Sequence, residues 1–452
     1  MLSCKWETIP STRVAGKGRG RQPSGVVNPM QGNVDITSRE HKAHPFPFYA
    51  QLRETAPVHP VTLPDKQTAW LITRYDDVAA VLADKRFAKD KNNALENPEP
   101  AIPAWLPRAF AVLTRNMLDL DEPDHTRLRA LVNRAFTPQR VEGMRSRIQE
   151  LAEELLAAVD MRRSFDLIKS YALPIPTTII AEMLGIPASD RHKFSRWSKH
   201  IVAAGSSKLR TFRAIPNIWL FLRYIRRLVR ARRSKPGDEM LRALLQADDQ
   251  GQRLDEDELL AMVFLLLVAG HETTVNLIGN GVLALLEHPD QMEKLRSQPD
   301  LIEAAVEELL RYGSPLETAT ERYALEDVTL RGVTIPRGAL VLAAIASANR
   351  DERCFEHPDD LDITRQPNRH LSFGIGSHYC LGAPLARLEG QIAIQTLLCN
   401  TSVLRLRDTP ETLRWRCGLV LRGLESLPVV ATPLPPSPAP EPAIMRSPAA
   451  EV

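Results

Sequence analysis

The sequence predicts a mainly α-helical protein with small β-sheets. Residues 124–310 carry the spacing of amphipathic helices almost throughout, with prolines marking the breaks between them. Residues 255–288 contain no proline, so this stretch predicts one long helix. Short strand-like runs stand on both sides of the helical region, at 58–61 and 70–73 before it and within 328–342 after it. Helices therefore form the body of the predicted fold, and the strands form small sheets at its side.

Length and composition suit a large enzyme that can enclose a cofactor. The chain has 452 residues, of which 44% are hydrophobic and 25% charged, and its 58 Lys and Arg residues nearly balance 55 Asp and Glu residues. This balance predicts no bulk attraction to nucleic acid or to a membrane. The longest apolar run, Leu259–Ala269, is shorter than the ~20 residues that a membrane helix needs. We therefore expect a soluble, monomeric protein.

The cysteines predict neither disulfides nor a zinc site, because they show neither close pairs nor the spacing of metal fingers. This pattern fits a reducing compartment, so the cytoplasm is the predicted location. The five residues are Cys4, Cys354, Cys380, Cys399 and Cys417.

Both ends of the chain are predicted to be disordered tails. Residues 1–38 contain a run of glycines and basic residues at 16–21 and little apolar periodicity, and residues 432–452 are rich in proline. Neither segment has the apolar content to pack against a core. The predicted domain therefore spans residues 39–431.

Prolines and strand runs predict the order of elements within this domain. Strands at Val58–Val61 and Trp70–Thr73 come first, and a short helical pattern follows the second. After the helical region, strands return at 328–330, 333–335 and 340–342. The predicted breaks in the helical region lie at Pro138, Pro174, Pro187, Pro216, Pro236 and Pro289.

The long helix predicted over Asp255–His288 has polar residues at its centre. At ~1.5 Å per residue it would approach 50 Å, enough to cross the protein. Residues 269–274 read Ala-Gly-His-Glu-Thr-Thr between apolar turns. A threonine hydroxyl there can bond a backbone carbonyl and open a local bulge, which makes room for oxygen over a haem. Glu272 and the threonines could instead occupy a solvated face, but the apolar turns on both sides favour burial.

One cysteine stands in a glycine-rich turn ahead of a helical segment. Cys380 lies within Phe373–Gly382, where Gly374 and Gly376 can take backbone angles that other residues avoid, so that N–H groups can point at the sulfur. Gly382 lets the next helix pass close to a flat macrocycle. A thiolate ligand pushes electron density onto a haem iron and favours O–O cleavage. The alternative is a small buried hydrophobe, the usual role of a free cysteine.

A glutamate and an arginine stand three residues apart after the long helix. Glu308 and Arg311 share one face of the helical stretch 304–312, and Arg365 follows later in the chain. Most such pairs are surface ion pairs worth under ~1 kcal/mol. The pair by itself therefore predicts no function.

Cationic residues are candidates to hold the two propionates of a haem. His125 and Arg129 are spaced i and i+4 on one helical face, and arginine suits carboxylates through its two-pronged guanidinium. The alternatives are a capped surface helix for this pair and a cation at a strand edge for Arg322.

The run Phe-Gly-x-Gly-x-His-x-Cys-x-Gly from Phe373 to Gly382, continued by Ala-Pro-Leu-Ala-Arg-Leu-Glu, resembles the cysteine-ligand loop of the cytochrome P450 family. The resemblance spans about residues 43–430. It implies a single haem-enclosing domain, haem b (iron protoporphyrin IX) as the cofactor and Cys380 as the iron ligand.

The resemblance also implies roles for individual residues. Thr273 would hydrogen-bond the bound oxygen, and Glu272 would supply protons through water. Glu308, Arg311 and Arg365 would form a buried triad that braces the cysteine loop. The residues that the resemblance places at the haem are His125, Arg129, Ala269, Gly270, Arg322, Phe373, Gly374, His378, Cys380 and Gly382, with His370 as a further candidate for a propionate.

The implied activity is that of a soluble, bacterial-type haem-thiolate monooxygenase. It would insert one atom of O2 into a small apolar organic substrate. Electrons would come from a separate ferredoxin-type or flavodoxin-type donor, because no Gly-x-Gly-x-x-Gly follows a strand. One rival is a peroxygenase or an oxygen-independent haem enzyme of the same fold, and another is a haem-binding recruitment or sensor protein without turnover. Glu272 and Thr273 favour the monooxygenase, since proton delivery serves chiefly to split O2.

Two contact surfaces are expected. A basic face would dock an acidic electron donor, because charge complementarity raises the association rate; scattered surface arginines are the alternative. Its candidate residues are Arg127, Arg134, Arg140 and Arg387. The segments expected to face the substrate are about 88–112, 175–215, 264–269, 316–320 and 419–420.

Overall fold

Helices form most of the protein, as predicted. The computed structural model describes residues 34–100, 102, 108–193, 196–197, 208–233, 240–248 and 251–434. The α-helices are Arg39–Ala43, Phe46–Thr55, Tyr75–Ala83, Lys91–Ala94, Asp124–Ala135, Pro138–Glu142, Arg145–Ala157, Pro174–Met183, Lys208–Arg233, Met240–Gln246, Glu256–Glu287, Pro289–Ser297, Ile302–Gly313, Ile345–Ala348 and Ala383–Cys399.

The described strands form three small sheets, and they include the predicted strands near 58–61, 70–73 and 328–342. The largest has the order Val58–Thr62, Thr68–Ile72, Leu340–Ala343, Arg322–Ala324 and Phe87–Ala88, and only its second and third strands pair in parallel. Phe165–Asp166, Pro428–Pro433 and Thr401–Leu406 form a three-stranded sheet, which the sequence did not predict, and Val328–Leu330 pairs with Val333–Ile335.

The central helix, Glu256–Glu287, is the long helix that the sequence predicted. A capping box begins it: the N–H of Asp255 donates to the Glu258 carboxylate at 3.0 Å, and the N–H of Glu258 donates back at 2.7 Å. The helix is long and apolar enough to cross a membrane, but 67% of its most apolar window is buried inside the protein. Burial of that extent is typical of a core helix.

Two later helices pack against the central helix and bring the candidate site to it. Ile302–Gly313 contacts it from one side and Ala383–Cys399 from another. Gly390 allows the second crossing to be close, because a Cβ at this position would lie 2.8 Å from the Leu277 side chain. The helix after the cysteine loop is thereby held directly against the middle of the fold.

Several predicted breaks are starts of helices. Pro138, Pro174 and Pro289 each occupy the first turn of a helix, where the missing N–H costs nothing. Pro187 precedes a 3₁₀ turn. Pro236 lies outside the described residues.

The break predicted at Pro216 is wrong. This proline lies inside the helix Lys208–Arg233. Its side of the helix is exposed, so water can bond the carbonyl that the missing N–H leaves free. Packing of the opposite face then keeps the helix continuous.

The folded chain extends beyond the predicted domain boundaries. Ile36 is only 2% exposed, and the Ser38 side chain caps the helix Arg39–Ala43. At the other end, the strand Pro428–Pro433 runs past residue 431. Residues 34–38 and 432–434 are therefore ordered by packing, capping or strand pairing, and the rest of the two predicted tails lies outside the described residues.

Candidate functional site

Cys380 lies at the end of a tight loop ahead of the helix Ala383–Cys399. The N–H of Cys380 donates to the carbonyl of Phe373 at 2.9 Å and closes the loop. Gly374 and Gly376 have φ angles of 67° and 74°, in the left-handed region that favours glycine. The glycines therefore set the path of the chain around the sulfur.

The surroundings of the Cys380 sulfur have opposing effects on the pKa of its thiol. The side chain is accessible, yet burial by the surrounding protein raises the pKa of the thiol. Hydrogen bonds from the N–H groups of Gly382 and Ala383 and the charges of Arg129 and Arg387 lower that pKa. These groups favour the thiolate, which is the form that binds iron. The donor set thus fits a haem-iron ligand.

The structure brings Glu308, Arg311 and Arg365 together. Glu308 and Arg311 are fully buried and share two hydrogen bonds, of 2.8 and 2.7 Å. Arg365 adds a third bond to the same carboxylate at 3.2 Å. A bidentate buried pair of this kind is structural, because either charge alone would be costly to bury.

Hydrogen bonds connect this triad to the start of the cysteine loop. Arg311 donates to the carbonyl of Asn349 at 2.9 Å. The Asn349 side chain in turn accepts from the N–H of Leu371 at 2.8 Å and donates to the Ser372 hydroxyl at 2.9 Å. Residues 371 and 372 directly precede Phe373, so the triad is positioned to brace the loop.

The cationic candidates gather on one side of the cysteine loop. The rings of His125 and His378 lie 4.1 Å apart, and both ring nitrogens of His125 are buried without a hydrogen-bond partner. Arg322 is 4% exposed, and Arg129 donates to the Tyr379 carbonyl at 2.6 Å. The structure shows no salt bridge from these four side chains to a carboxylate of the described residues.

Sequence reasoning missed Lys89, which belongs to the same cationic cluster. Burial and the charge of Arg322 lower the pKa of Lys89 to about 8. Burial, followed by the charges of His125, Lys89, Arg322 and Arg129, lowers the pKa of His378 to about 3. The positive charges of Lys89, Arg129 and Arg322 act on the same place and fit a bound anion, and the neutral ring of His378 can offer an N–H beside them. The two propionates of a haem would supply this anion.

Glu272 and Thr273 lie at the middle of the central helix. The Thr273 hydroxyl donates to the carbonyl of Ala269 at 3.0 Å, the type of contact that the sequence predicted. Ala269 is exposed, and Gly270 beside it is partly buried. Glu272 is 7% exposed and forms an ion pair with Arg416, which sequence reasoning missed because 144 residues separate the two.

Glu307, also missed, anchors the far side of the cysteine loop. It accepts two hydrogen bonds from Arg387 and one, at 3.1 Å, from His370. Burial alone would raise the pKa of this carboxyl, but these bonds lower it to about 2. Arg387 also stacks on Phe373, 4.4 Å from the ring centre. His370, a further candidate for a propionate, is therefore engaged by Glu307 instead.

The four arginines of the predicted basic face are bonded within the protein. Arg127 pairs with Glu258, and Arg387 pairs with Glu307. Arg140 donates to the Ala135 carbonyl at 3.1 Å, and Arg134 donates to the Asp248 carbonyl. Carboxylates thus balance the charges of Arg127 and Arg387, which weakens the predicted face.

Comparison with known proteins places this site in a family. A family model described as "Cytochrome P450" matches residues 23–425. The polyketide biosynthesis cytochrome P450 PksS of Bacillus subtilis is 45% identical over 396 residues, which cover 86% of this chain and 96% of that protein. The cytochrome P450 monooxygenase PikC of Streptomyces venezuelae is 43% identical over 417 residues, covering 91% and 97%. The solved structure of PksS has a TM-score of 0.82 at 43% identity and covers 88% of this chain and 99% of that one.

The helical fold and the cysteine loop define a haem-thiolate protein, and the comparisons agree. The chain belongs to the cytochrome P450 family. It is a cytochrome P450 monooxygenase with haem b as its cofactor.

Proposed function

We propose that Cys380 ligates the haem iron and that the cationic cluster holds the propionates. When bound, haem b supplies the oxygen-activating chemistry. The thiolate-favouring N–H groups support the first assignment, and the unpartnered nitrogens of His125 support the second. Thr273 and Glu272 serve as the polar pair beside the oxygen site, with Glu272 supplying protons.

The proposed substrate is an apolar organic molecule, and one stripe of the central helix carries this proposal. Leu265, Val268, Ala269 and Thr273 remain accessible although the helix crosses the core. These positions share one face, and all but the threonine are apolar. Relatives named 6-deoxyerythronolide B hydroxylase and vitamin D(3) 25-hydroxylase support the hydroxylation of an organic substrate.

The proposed electron source is a separate ferredoxin-type or flavodoxin-type protein. The given residues contain no Gly-rich dinucleotide fingerprint after a strand, which supports a separate electron carrier. We further propose that the protein is a monomer in the cytoplasm, where it can meet a ferredoxin-type or flavodoxin-type donor. Light scattering of the purified protein tests the monomeric state.

The decisive experiment compares oxidants on a bound substrate. Lipophilic compounds are first screened for shifts of the haem absorption band, and the best binder is incubated with ferredoxin, its reductase and ¹⁸O-labelled O2. One labelled atom is expected in the product. Unlabelled product, or equal turnover with hydrogen peroxide alone, would favour the peroxygenase alternative. No product from any bound compound would favour a sensor.

A further inference from the structure

Glu272 is held by a residue from a distant part of the chain. The side chain of Glu272 is 10% exposed, and its carboxylate receives a hydrogen bond from a guanidinium N–H of Arg416, whose side chain is 30% exposed. His271 lies nearby, with Nε2 3.9 Å from the Glu272 carboxylate. Burial lowers the pKa of His271, so its ring is neutral near neutral pH. Arg416 is therefore the permanent charge that balances this buried carboxylate within the described residues.

A hairpin fixes the position of Arg416. Trp415 and Leu424 pair across it, and the N–H of Arg416 donates to the carbonyl of Gly423 at 2.9 Å. Gly423 packs directly on the central helix: a Cβ there would come within 1.9 Å of the Asn276 side chain. Asn276 lies one helical turn after Glu272. The backbone of the hairpin therefore places the Arg416 guanidinium beside the Glu272 carboxylate.

We propose that Arg416 is a positioning residue for proton delivery, which orients the Glu272 carboxylate and links it to solvent. The inference rests on the proposed function. Glu272 is nearly enclosed and Arg416 reaches the surface, so the ion pair spans the distance from water to the centre of the helix. Without the arginine, the carboxylate would lose its fixed orientation and its compensating charge.

The first test compares Arg416→Gln with Arg416→Lys. We expect both variants to keep haem and to bind substrate with an unchanged dissociation constant. Oxygen consumption with substrate should fall about 10-fold in the Gln variant, because a misplaced proton donor slows each turnover. The rate ratio between H2O and D2O should rise, and the Lys variant should recover part of the rate. A parent-like rate and isotope effect in the Gln variant would overturn the inference.

Arg414→Gln is the matched control. Arg414 lies two residues away in the same segment, it is exposed, and its side chain has no hydrogen bond to the described residues. Its substitution should leave oxygen consumption and the isotope effect unchanged. An equal loss in both variants would attribute the effect to general damage of the hairpin and would contradict the inference.

A second test does not depend on turnover. Urea unfolding is measured for Arg416→Gln, Glu272→Gln and the double variant. The shift in midpoint caused by Arg416→Gln should disappear when Glu272 is already neutral, because the two side chains act as one unit. Additive midpoint shifts in the double variant would show that Arg416 and Glu272 do not stabilise the protein as a pair. If the parent protein itself lacks O2-dependent turnover, the proposed function fails; if only the Arg416 effects are missing, this inference fails alone.

Discussion

The neighbours of a sulfur decide what a cysteine can do in this protein. Burial raises the pKa of both Cys354 and Cys380. At Cys354 the charges of Asp351 and Asp76 raise it further, whereas two backbone N–H groups and two arginines oppose the rise at Cys380. The surroundings thus favour the thiol at Cys354, whereas at Cys380 they oppose the effect of burial and favour the thiolate.

Replacement of Cys380 by serine should abolish the shifted carbon-monoxide band of a haem-thiolate protein. A neutral hydroxyl is a poor donor to iron, so the electronic signature of the thiolate is lost. Difference spectra of the reduced, carbon-monoxide-treated protein measure this. Cys354→Ser, at an exposed cysteine, is the control and should keep the band. An unchanged spectrum in Cys380→Ser would disprove the ligand assignment.

Thr273→Ala and Glu272→Gln should fail in different ways. Without the Thr273 hydroxyl, the protein should still bind substrate and consume electrons, but product should fall and hydrogen peroxide should rise. Glu272→Gln removes the proton donor, so oxygen consumption should slow, within the ~10²–10⁴-fold range of a positioned acid. Oxygen, peroxide and product are measured together. Parental rates and coupling in both variants would make this part of the helix a packing element only.

At the scale of elements, buried charge pairs join helices and loops. Arg311→Ala should cost on the order of 3–5 kcal/mol and yield protein without haem, because Glu308 would remain buried and uncompensated. Urea unfolding and haem content are the measurements. Arg145→Ala is the control: Arg145 and Glu142 have the same i,i+3 spacing on an exposed surface, where such a pair contributes under ~1 kcal/mol. An equal loss of unfolding free energy in the two variants would show that the buried pair contributes no more to stability than the exposed pair.

Glu389, on the helix after the cysteine loop, should make stability depend on pH. Burial raises the pKa of its carboxyl to about 8, although a hydrogen bond with Thr274 acts in the opposite direction. The folded state then holds this proton more tightly than the unfolded chain does, so stability should fall as pH rises from about 4.5 towards 8. Relative to Glu389→Gln, the parent should lose about 3 kcal/mol between about pH 5 and pH 7.5.

Urea unfolding at several pH values measures this difference. Glu303→Gln, at an exposed position of the helix Ile302–Gly313, keeps Glu389 and should follow the pH dependence of the parent. A parallel pH dependence of the parent and Glu389→Gln would show that the buried carboxyl titrates at its ordinary pKa.

At the scale of the whole molecule, the N-terminal segment is tied to a residue far along the chain, Glu317. Glu317 is fully buried and accepts hydrogen bonds from His41 at 3.0 Å, Lys42 at 2.8 Å and Tyr49 at 2.6 Å. Glu317 belongs to the segment 316–320, which is expected to face the substrate. Contacts of this sequence separation can form only when the entire chain has folded.

Deletion experiments should locate the first N-terminal residues that the protein needs to fold and hold haem. Removal of residues 1–33 should leave haem content and spectra unchanged, because these residues have little apolar content to pack. Removal of residues 1–44 should reduce haem content and lower the melting temperature, since Lys42 would no longer compensate Glu317. Haem content and thermal unfolding are measured for both. Loss of haem in the shorter deletion would extend the required chain into residues 1–33.

Local patterns predicted the parts of the fold that depend on local physics. The spacing of apolar residues predicted the central helix, and Gly374 and Gly376 were identified by a backbone requirement that the structure shows. Pro216 was misread because the packing of the opposite helix face and water at the freed carbonyl can offset the cost of a proline inside a helix. Propensity alone does not contain that information.

The sequence by itself determined the family, the helical body and the cysteine that stands in its glycine turn, because those features are written in spacing and in a contiguous motif. Only the tertiary structure decided which charges meet. Lys89 lies within the field of the Arg322 charge, whereas Glu307 pairs with Arg387 and Glu272 pairs with Arg416. All three contacts link residues that are far apart in the chain. The physical reason is that a charge acts through distance in space and through burial, and neither quantity exists until the chain has folded.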